Sequence, residues 1–394
     1  MKIISLLLFL YLVLFPFGQL TRLPLEFSGF PEVHLYLTDI FVFFLLCSWG
    51  IWRFLVVRKK YSLPSLAIPI FSFSLICLLS LGLATPLFSN REVMVAGLYL
   101  LRWVIYAGLY FVMVDISPRF KWLNRRHMAC FLVVIGVMLA IFGLVQYLLW
   151  PDLKPLEALE WDPHNQRVVS TFLDPGFTGL ILVLTLILII VLSWQKKVKK
   201  PWAMAGLITY IALALTYSRS SYLAFFVGMG VITLVKKAPK FFLAVLLLGL
   251  GTFFVLPRPA GEGGKLERTY SIEARFKNWQ QTIAIARDHP FLGVGFNTYR
   301  YVQEEYGFLD EEKWQVSHSG AGADSSLLFV LATTGLLGLI AYLWIWVKAI
   351  SSTRRSLIIV VSLAAVFTHA LFLNSLFYSW VMAWLWLLLA TECS

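Results

Sequence analysis

Apolar runs recur along almost the whole chain, each close to the length that carries a helix across ~30 Å of hydrocarbon. They fall near 3–20, 35–56, 64–84, 94–114, 128–150, 174–194, 202–217, 221–235, 241–256, 325–347, 357–373 and 375–391. Polar residues gather in short clusters between them, and one interval, 257–323, is polar over a long stretch. The pattern predicts an all-α polytopic membrane protein of roughly twelve transmembrane helices with one large loop. Helices one to nine would occupy 1–256, the loop 257–323, and helices ten to twelve 324–394.

Within the loop, Ile272, Phe276, Trp279 and Ile283 recur at spacings of four, three and four. That spacing marks the apolar stripe of an amphipathic helix, expected from about Ser271 to Asp288 and lying flat with the stripe against the membrane domain. Arg275, Asn278 and Thr282 fall off the stripe. Pro290 and a flexible Gly293-Val294-Gly295 are expected to end the helix.

Composition strengthens this picture. Of 394 residues, 59% are hydrophobic and 14% charged, too little charge to cover a soluble domain of that length. The formal net charge of +12 does not point to nucleic acid. The basic residues stand in clusters such as Arg58-Lys59-Lys60 and Lys196-Lys197-Val198-Lys199-Lys200, directly after apolar runs, where cytoplasmic anchors belong. Placing Lys2 inside puts those clusters, and those at Arg119–Arg126, Lys236–Lys240 and Arg354-Arg355, on the cytoplasmic side. Both termini are then cytoplasmic and 257–323 is extracytoplasmic. Its eight Lys/Arg and nine Asp/Glu do not oppose that, because long loops cross regardless of charge.

Residues 3–20 follow Lys2 as a signal peptide would. Gln19-Leu20-Thr21-Arg22 offers no small-x-small cleavage pattern, so the run reads as the first span. Cys47, Cys77 and Cys130 lie in apolar runs and Cys393 is next to last, which leaves neither a disulfide framework nor a zinc pattern.

Three places carry chemistry. Arg102 lies inside the fourth span, where a lone guanidinium costs ~2.5–3.5 kcal/mol on insertion scales and calls for a partner or an aqueous cavity. Arg219, in Tyr217-Ser218-Arg219-Ser220-Ser221-Tyr222-Leu223, tops a tight hairpin on the outer side, against the positive-inside trend. An anionic ligand would explain it, since the planar fork of arginine suits phosphate oxygens and the serines add donors. Third, Val316-Ser317-His318-Ser319-Gly320-Ala321-Gly322-Ala323-Asp324 enters span ten with two titratable side chains, His318 and Asp324, among small residues. His164 and His289 have weaker surroundings, and His369, inside span eleven, reads as a hydrogen-bonded structural residue.

Together these pieces resemble the O-antigen ligase and polymerase family of bacterial membrane glycan-assembly enzymes. The resemblance runs through Arg167-Val168-Val169-Ser170-Thr171-Phe172-Leu173-Asp174-Pro175, the Arg219 hairpin, Ala274-Arg275-Phe276-Lys277-Asn278-Trp279, Pro290-Phe291-Leu292-Gly293-Val294-Gly295 and Thr334-Gly335-Leu336-Leu337-Gly338, in that order. It implies a GT-C-like fold in the bacterial cytoplasmic membrane. The implied activity transfers a glycan from an undecaprenyl-diphosphate carrier to a hydroxyl of a lipid A core sugar, a growing polysaccharide or a protein. No metal and no cofactor is implied: arginines matching Arg219 and Arg275 would hold the diphosphate, with Arg102 and Arg167 as further contacts. Ligase and polymerase share this donor chemistry.

One position departs from the family. A histidine usually stands eleven residues before the first glycine of Gly335-Leu336-Leu337-Gly338, and here that position is Asp324. Either Asp324 takes the acceptor's proton with His318 as its partner, or His318 reaches the same place and Asp324 orients it; a third reading takes the missing histidine as the mark of a different acceptor or a weakened enzyme. A chain of this span number also suits a secondary transporter or flippase of an anionic lipid-linked substrate. The long loop between spans nine and ten, rather than between two halves, speaks against that alternative.

Overall fold

A computed structural model describes residues 1–23, 33–57, 62–159, 164–194, 200–257, 270–309, 322–353 and 356–393. The described residues are helical throughout apart from turns and two isolated bridges, Arg22 to Tyr36 and Asp152 to Asn165. In chain order the helices are α1 (Lys2–Leu14), α2 (Leu37–Ile51), α3 (Ala67–Ala84), α4 (Asn90–Ile116), α5 (Arg125–Leu149), α6 (Pro175–Trp194) and α7 (Lys200–Ala214). There follow α8 (Arg219–Lys236), α9 (Pro239–Val255), α10 (Tyr270–Asp288), α11 (Tyr299–Glu305), α12 (Ser326–Ser352), α13 (Leu357–Ala370) and α14 (Ser379–Cys393). Among the described residues, seven helices are long and apolar enough to cross a membrane: α1 to α6, several with short extensions, and α12. Helices α7, α9, α13 and α14 are apolar but shorter, and α8 opens on Arg219 and closes on Lys236. The chain is an all-α polytopic membrane protein.

The centre of the bundle is α6, whose sequence is apolar all round and whose residues from Pro175 to Val191 are almost all buried. A helix without a polar face has to be surrounded, and α6 packs against α5, α7, α8 and α13. Small residues allow the close approaches that hold helices together where lipid removes the hydrophobic drive. A Cβ at Gly136 of α5 would meet the Thr185 side chain of α6, and one at Gly179 of α6 would meet Ser221 of α8. The outward faces of α3 and α9 show leucines such as Leu78, Leu79, Leu246 and Leu247, as lipid contact requires.

Helix α12 is broken at Gly335, whose φ of 65° and ψ of −168° leave the helical region. A break at this depth frees carbonyls and amides that lipid cannot satisfy. The segment after α10 fills it. Val294 N–H donates to the Ala332 carbonyl (3.1 Å) and Gly295 N–H to Thr333 (3.1 Å), while Leu336 N–H donates to Pro290 (2.8 Å) and Leu337 N–H to Phe291 (3.3 Å). From α3, the Ser80 hydroxyl reaches the carbonyls of Leu292 and Thr333, at 2.7 Å each. A Cβ at Gly293 would strike the Thr333 and Thr334 backbone, and one at Gly335 the backbone of Phe291 and Leu292. The glycines therefore serve a tight lock between two chain segments, not the flexible stop expected from the sequence.

Helix α10 stands where the periodicity placed it, but turned about its axis. Ile272, Phe276 and Ile283 are exposed, whereas Thr282, Ile285 and Ala286 are buried and Arg275, Asn278 and Trp279 half-buried. The surface beneath explains the turn, because it is polar. Asp324 N–H donates to Asn278 Oδ1 at 2.8 Å, and the Thr282 hydroxyl meets Tyr299 Oη at 2.5 Å. Fixed partners for the polar face outweigh the preference of the apolar stripe, of which Ile272, Phe276 and Ile283 are left outward and Trp279 packs on Phe372.

Candidate functional site

The N-termini of α6, α8 and α12 and the C-terminus of α13 meet at one end of the bundle, with α10 laid over them. Ser221 Oγ of α8 donates to the Gly176 carbonyl of α6 at 3.1 Å. His369 of α13 is fully buried, with Nε2 3.2 Å from Ser220 Oγ and 3.3 Å from Ser221 Oγ, and Nδ1 2.6 Å from Ser375 Oγ. Ser326 Oγ, at the start of α12, accepts from Leu376 N–H at 3.1 Å. Helix amino ends carry partial positive charge and free N–H groups, so their convergence favours an anion.

Arg219 begins α8 on a turn the chain does not adopt freely. Tyr217 before it has φ 50°, a left-handed conformation costing a side-chain-bearing residue ~1–2 kcal/mol. Four hydrogen bonds hold it. Arg167, itself buried, donates through Nε to the Thr216 carbonyl (2.9 Å) and through Nη2 to that of Tyr217 (3.3 Å). Tyr217 Oη reaches the Pro257 carbonyl at 2.6 Å. Ser218 caps α8, its Oγ accepting from Ser221 N–H at 3.4 Å. Arg167 thus sits beneath the turn that presents Arg219.

Arg275 comes from the inward face of α10 and is close enough to Arg219, His369 and Asp324 to act electrostatically on each. Asp324 lies on the turn entering α12. Burial pushes its carboxyl above the usual carboxylate range, with the Arg275 guanidinium pulling the other way more weakly. A carboxylate so placed is more basic than one in water, which suits proton removal from a hydroxyl. The structure therefore brings Arg219, Arg275 and Asp324 together, with Arg167 behind them.

Arg102 has other partners. Its Nη2 donates to Asp39 Oδ2 at 2.9 Å and to the His34 carbonyl, and its guanidinium lies over the rings of Tyr36 and Tyr99 at 5.6 and 5.4 Å. Tyr106 Oη donates to Asp39 Oδ1 at 2.8 Å. The intramembrane charge is paired across α2 and α4. His318 lies outside the described residues. His289 ends up near Glu305, whose carboxyl is raised by burial and by Glu92 and Glu304.

Asn278, His369 and Asp39 escaped sequence reading as neighbours of these residues. A signal existed for Asp39, the one acidic residue in an apolar run beside the arginine-bearing span. No spacing links Asn278 to Asp324 or His369 to Ser220. Among the described residues, no group of three or more His, Cys, Asp or Glu is placed to hold a metal ion.

A family model described as O-Antigen ligase matches residues 204–343. The match begins in α7, contains Arg219, Arg275 and Asp324, and ends beyond the break in α12, so it covers those three site residues, while Arg167, Gly176 and His369 lie outside it. No curated protein matches the chain significantly.

Proposed function

We propose that this O-antigen ligase-like protein transfers a glycan from an undecaprenyl-diphosphate carrier to a hydroxyl acceptor at the outer face of the bacterial cytoplasmic membrane. The observation that carries the reading is the meeting of Arg219, Arg275 and Asp324 at one end of the bundle, within the segment matching the family. Two guanidiniums near enough to repel each other are stabilised by an anion between them, and a diphosphate carries the charge and the oxygens for both.

In the reaction, the acceptor oxygen attacks the anomeric carbon of the glycan while Asp324 takes the hydroxyl proton. The bond from that carbon to the diphosphate oxygen breaks. Undecaprenyl diphosphate leaves with the bonding pair, its charge held by Arg219 and Arg275 and by the amino end of α8. Preorganised donors of this kind act where charge develops, which is where they lower a barrier most. Arg167 contributes by fixing the turn, and Arg102 by securing α4 to α2. The orientation fits roughly twelve spans with both termini in the cytoplasm, a count that includes the shorter helices. Donor chemistry of this form serves ligase and polymerase alike.

The test uses purified protein in nanodiscs, an undecaprenyl-diphosphate-linked oligosaccharide and an acceptor, and follows released undecaprenyl diphosphate. Wild type should release it in step with acceptor glycosylation. Arg219→Ala and Arg275→Ala should each lose ~10²–10³-fold in rate. Undiminished transfer by both variants would remove the diphosphate clamp.

A further inference from the structure

At the end of the bundle opposite the candidate site, α6 closes on Trp194 and α8 on Lys236. A groove of about 330 Å³ lies there between α6, α7 and α9, walled by Ile190, Trp194, Trp202, Gly206 and Phe241. The Trp194 and Phe241 rings meet edge to face, centroids 5.1 Å apart. Trp194 is 42% exposed, and Met204 and Leu207 of α7 and Leu243 of α9 are exposed as well, so the groove opens toward hydrocarbon. Little protein closes this seam. Val245 is the one buried residue of α9, which packs on α8.

The charge at this end has one sign. Lys236 and Lys237 stand at the end of α8, and Lys240, exposed like them, directly precedes Phe241. Residues 196–200 add four lysines, while from Pro175 to Pro257 the chain has no Asp or Glu. Tryptophan favours the level of the lipid headgroups, which sets the groove at that level with the lysines beside it. Apolar walls under a cluster of cations fit a lipid that offers an acyl chain to the first and a phosphate to the second. A second copy of the chain would bring the same lysines against these, and a zwitterionic lipid gains little from them. We propose that the groove binds an anionic phospholipid, a stretch of one acyl chain lying among Trp194, Trp202 and Phe241 and the headgroup phosphate on Lys236, Lys237 and Lys240. The volume is at the small end of ligand pockets, which suits part of a chain rather than a whole lipid. So seated, the lipid fills the seam and ties α9 to α6 and α7. The assignment stands apart from the transferase reading.

The test uses the full-length protein, purified in detergent and stripped of lipid, and measures bound lipid by native mass spectrometry. One phosphatidylglycerol should bind ~100-fold more tightly than phosphatidylcholine, three lysines each contributing ~5-fold, and inorganic phosphate should not displace it. Lys240→Gln should weaken phosphatidylglycerol ~5-fold. Lys236→Gln, Lys237→Gln and Lys240→Gln together should remove its preference over phosphatidylcholine. A Cβ at Gly206 would lie 3.7 Å from Ile189, an ordinary contact, so Gly206→Leu fills the groove and should weaken both lipids ~10-fold. The lysines are exposed, so their variants carry the test if Gly206→Leu does not fold. Equal affinity of wild type for the two lipids, an unchanged phosphatidylglycerol affinity in the triple variant, or displacement by inorganic phosphate would overturn the site. So would a lipid-free dimer of the chain that Gly206→Leu dissolves, which would give the groove to a second copy.

Discussion

Two arginine-bearing regions of this membrane domain treat the residue in opposite ways. In α4, Arg102 lies deep among apolar residues with a carboxylate, a carbonyl and two aromatic rings around it. At one end of the bundle, Arg219 of α8 and Arg275 of α10 come near enough to act on each other electrostatically, with Asp324 within the same reach of Arg275. The first arrangement is complete within the fold, and its charge is spent on joining α2 to α4. The second brings two like charges within electrostatic reach of each other at the end of the bundle. A charged residue in a membrane protein is thus informative through its neighbours more than through its depth.

That contrast can be broken most severely at Arg102. Removing it leaves Asp39 buried without its cation, which should cost ~3–5 kcal/mol, seen as a lower denaturation midpoint and poor recovery from the membrane. Replacing Asp39 as well, in Arg102→Met with Asp39→Asn, should return much of the loss. At the other region the ranking reverses. Arg219→Ala and Arg275→Ala should lose transfer with a smaller drop in the denaturation midpoint than Arg102→Met, since both stand at the end of the bundle rather than within a span.

A smaller effect is expected where the scaffold meets the site. Gly335→Ala places a Cβ against the Phe291 and Leu292 backbone at positive φ, a strain of ~1–3 kcal/mol. It should loosen the lock between α12 and the segment after α10. Hydrogen exchange at Val294 and Leu336 would rise, and Asp324, at the head of the same helix, would lose activity with it. Smallest of these is Arg167→Lys. An ammonium cannot span the Thr216 and Tyr217 carbonyls as the fork does, so the donor KM should rise ~3–10-fold, near 1 kcal/mol on the scale of one hydrogen bond.

Much of the architecture was legible in the order of apolar and polar residues, because spanning helices must be long and apolar. The helix at Tyr270–Asp288 was equally plain from the spacing of Ile272, Phe276, Trp279 and Ile283. Which way that helix faces was not. A 3.6-residue period groups residues on a face without saying what lies beneath, and here the partners are the Asp324 amide and the Tyr299 hydroxyl from distant segments. Gly293 and Gly335 were visible as motif members, yet their reason is a contact between segments 42 residues apart in number. For the site, Arg219 stood out against the positive-inside trend, Asp324 as a titratable residue among small ones, and Arg275 through the motif that resembles the family. Arg102 stood out as a charge within a span, and only its pairing with Asp39 distinguishes it.

The central claim, that Asp324 takes the acceptor's proton beside an arginine-held diphosphate, is tested most directly by the pH dependence of kcat/KM. Burial raises the Asp324 carboxyl, so the protonated, inactive form persists to higher pH than for an ordinary carboxylate near 3.9. The rate should therefore rise with pH through an acid limb above that value, and flatten once the carboxylate is formed. Asp324→Asn should abolish the rate while donor binding survives. Asp324→His, which restores the residue usual in the resembling family, should keep activity and move the limb toward ~6.5. An acid limb at the same pH in wild type and Asp324→His, or full transfer by Asp324→Asn, would contradict the account.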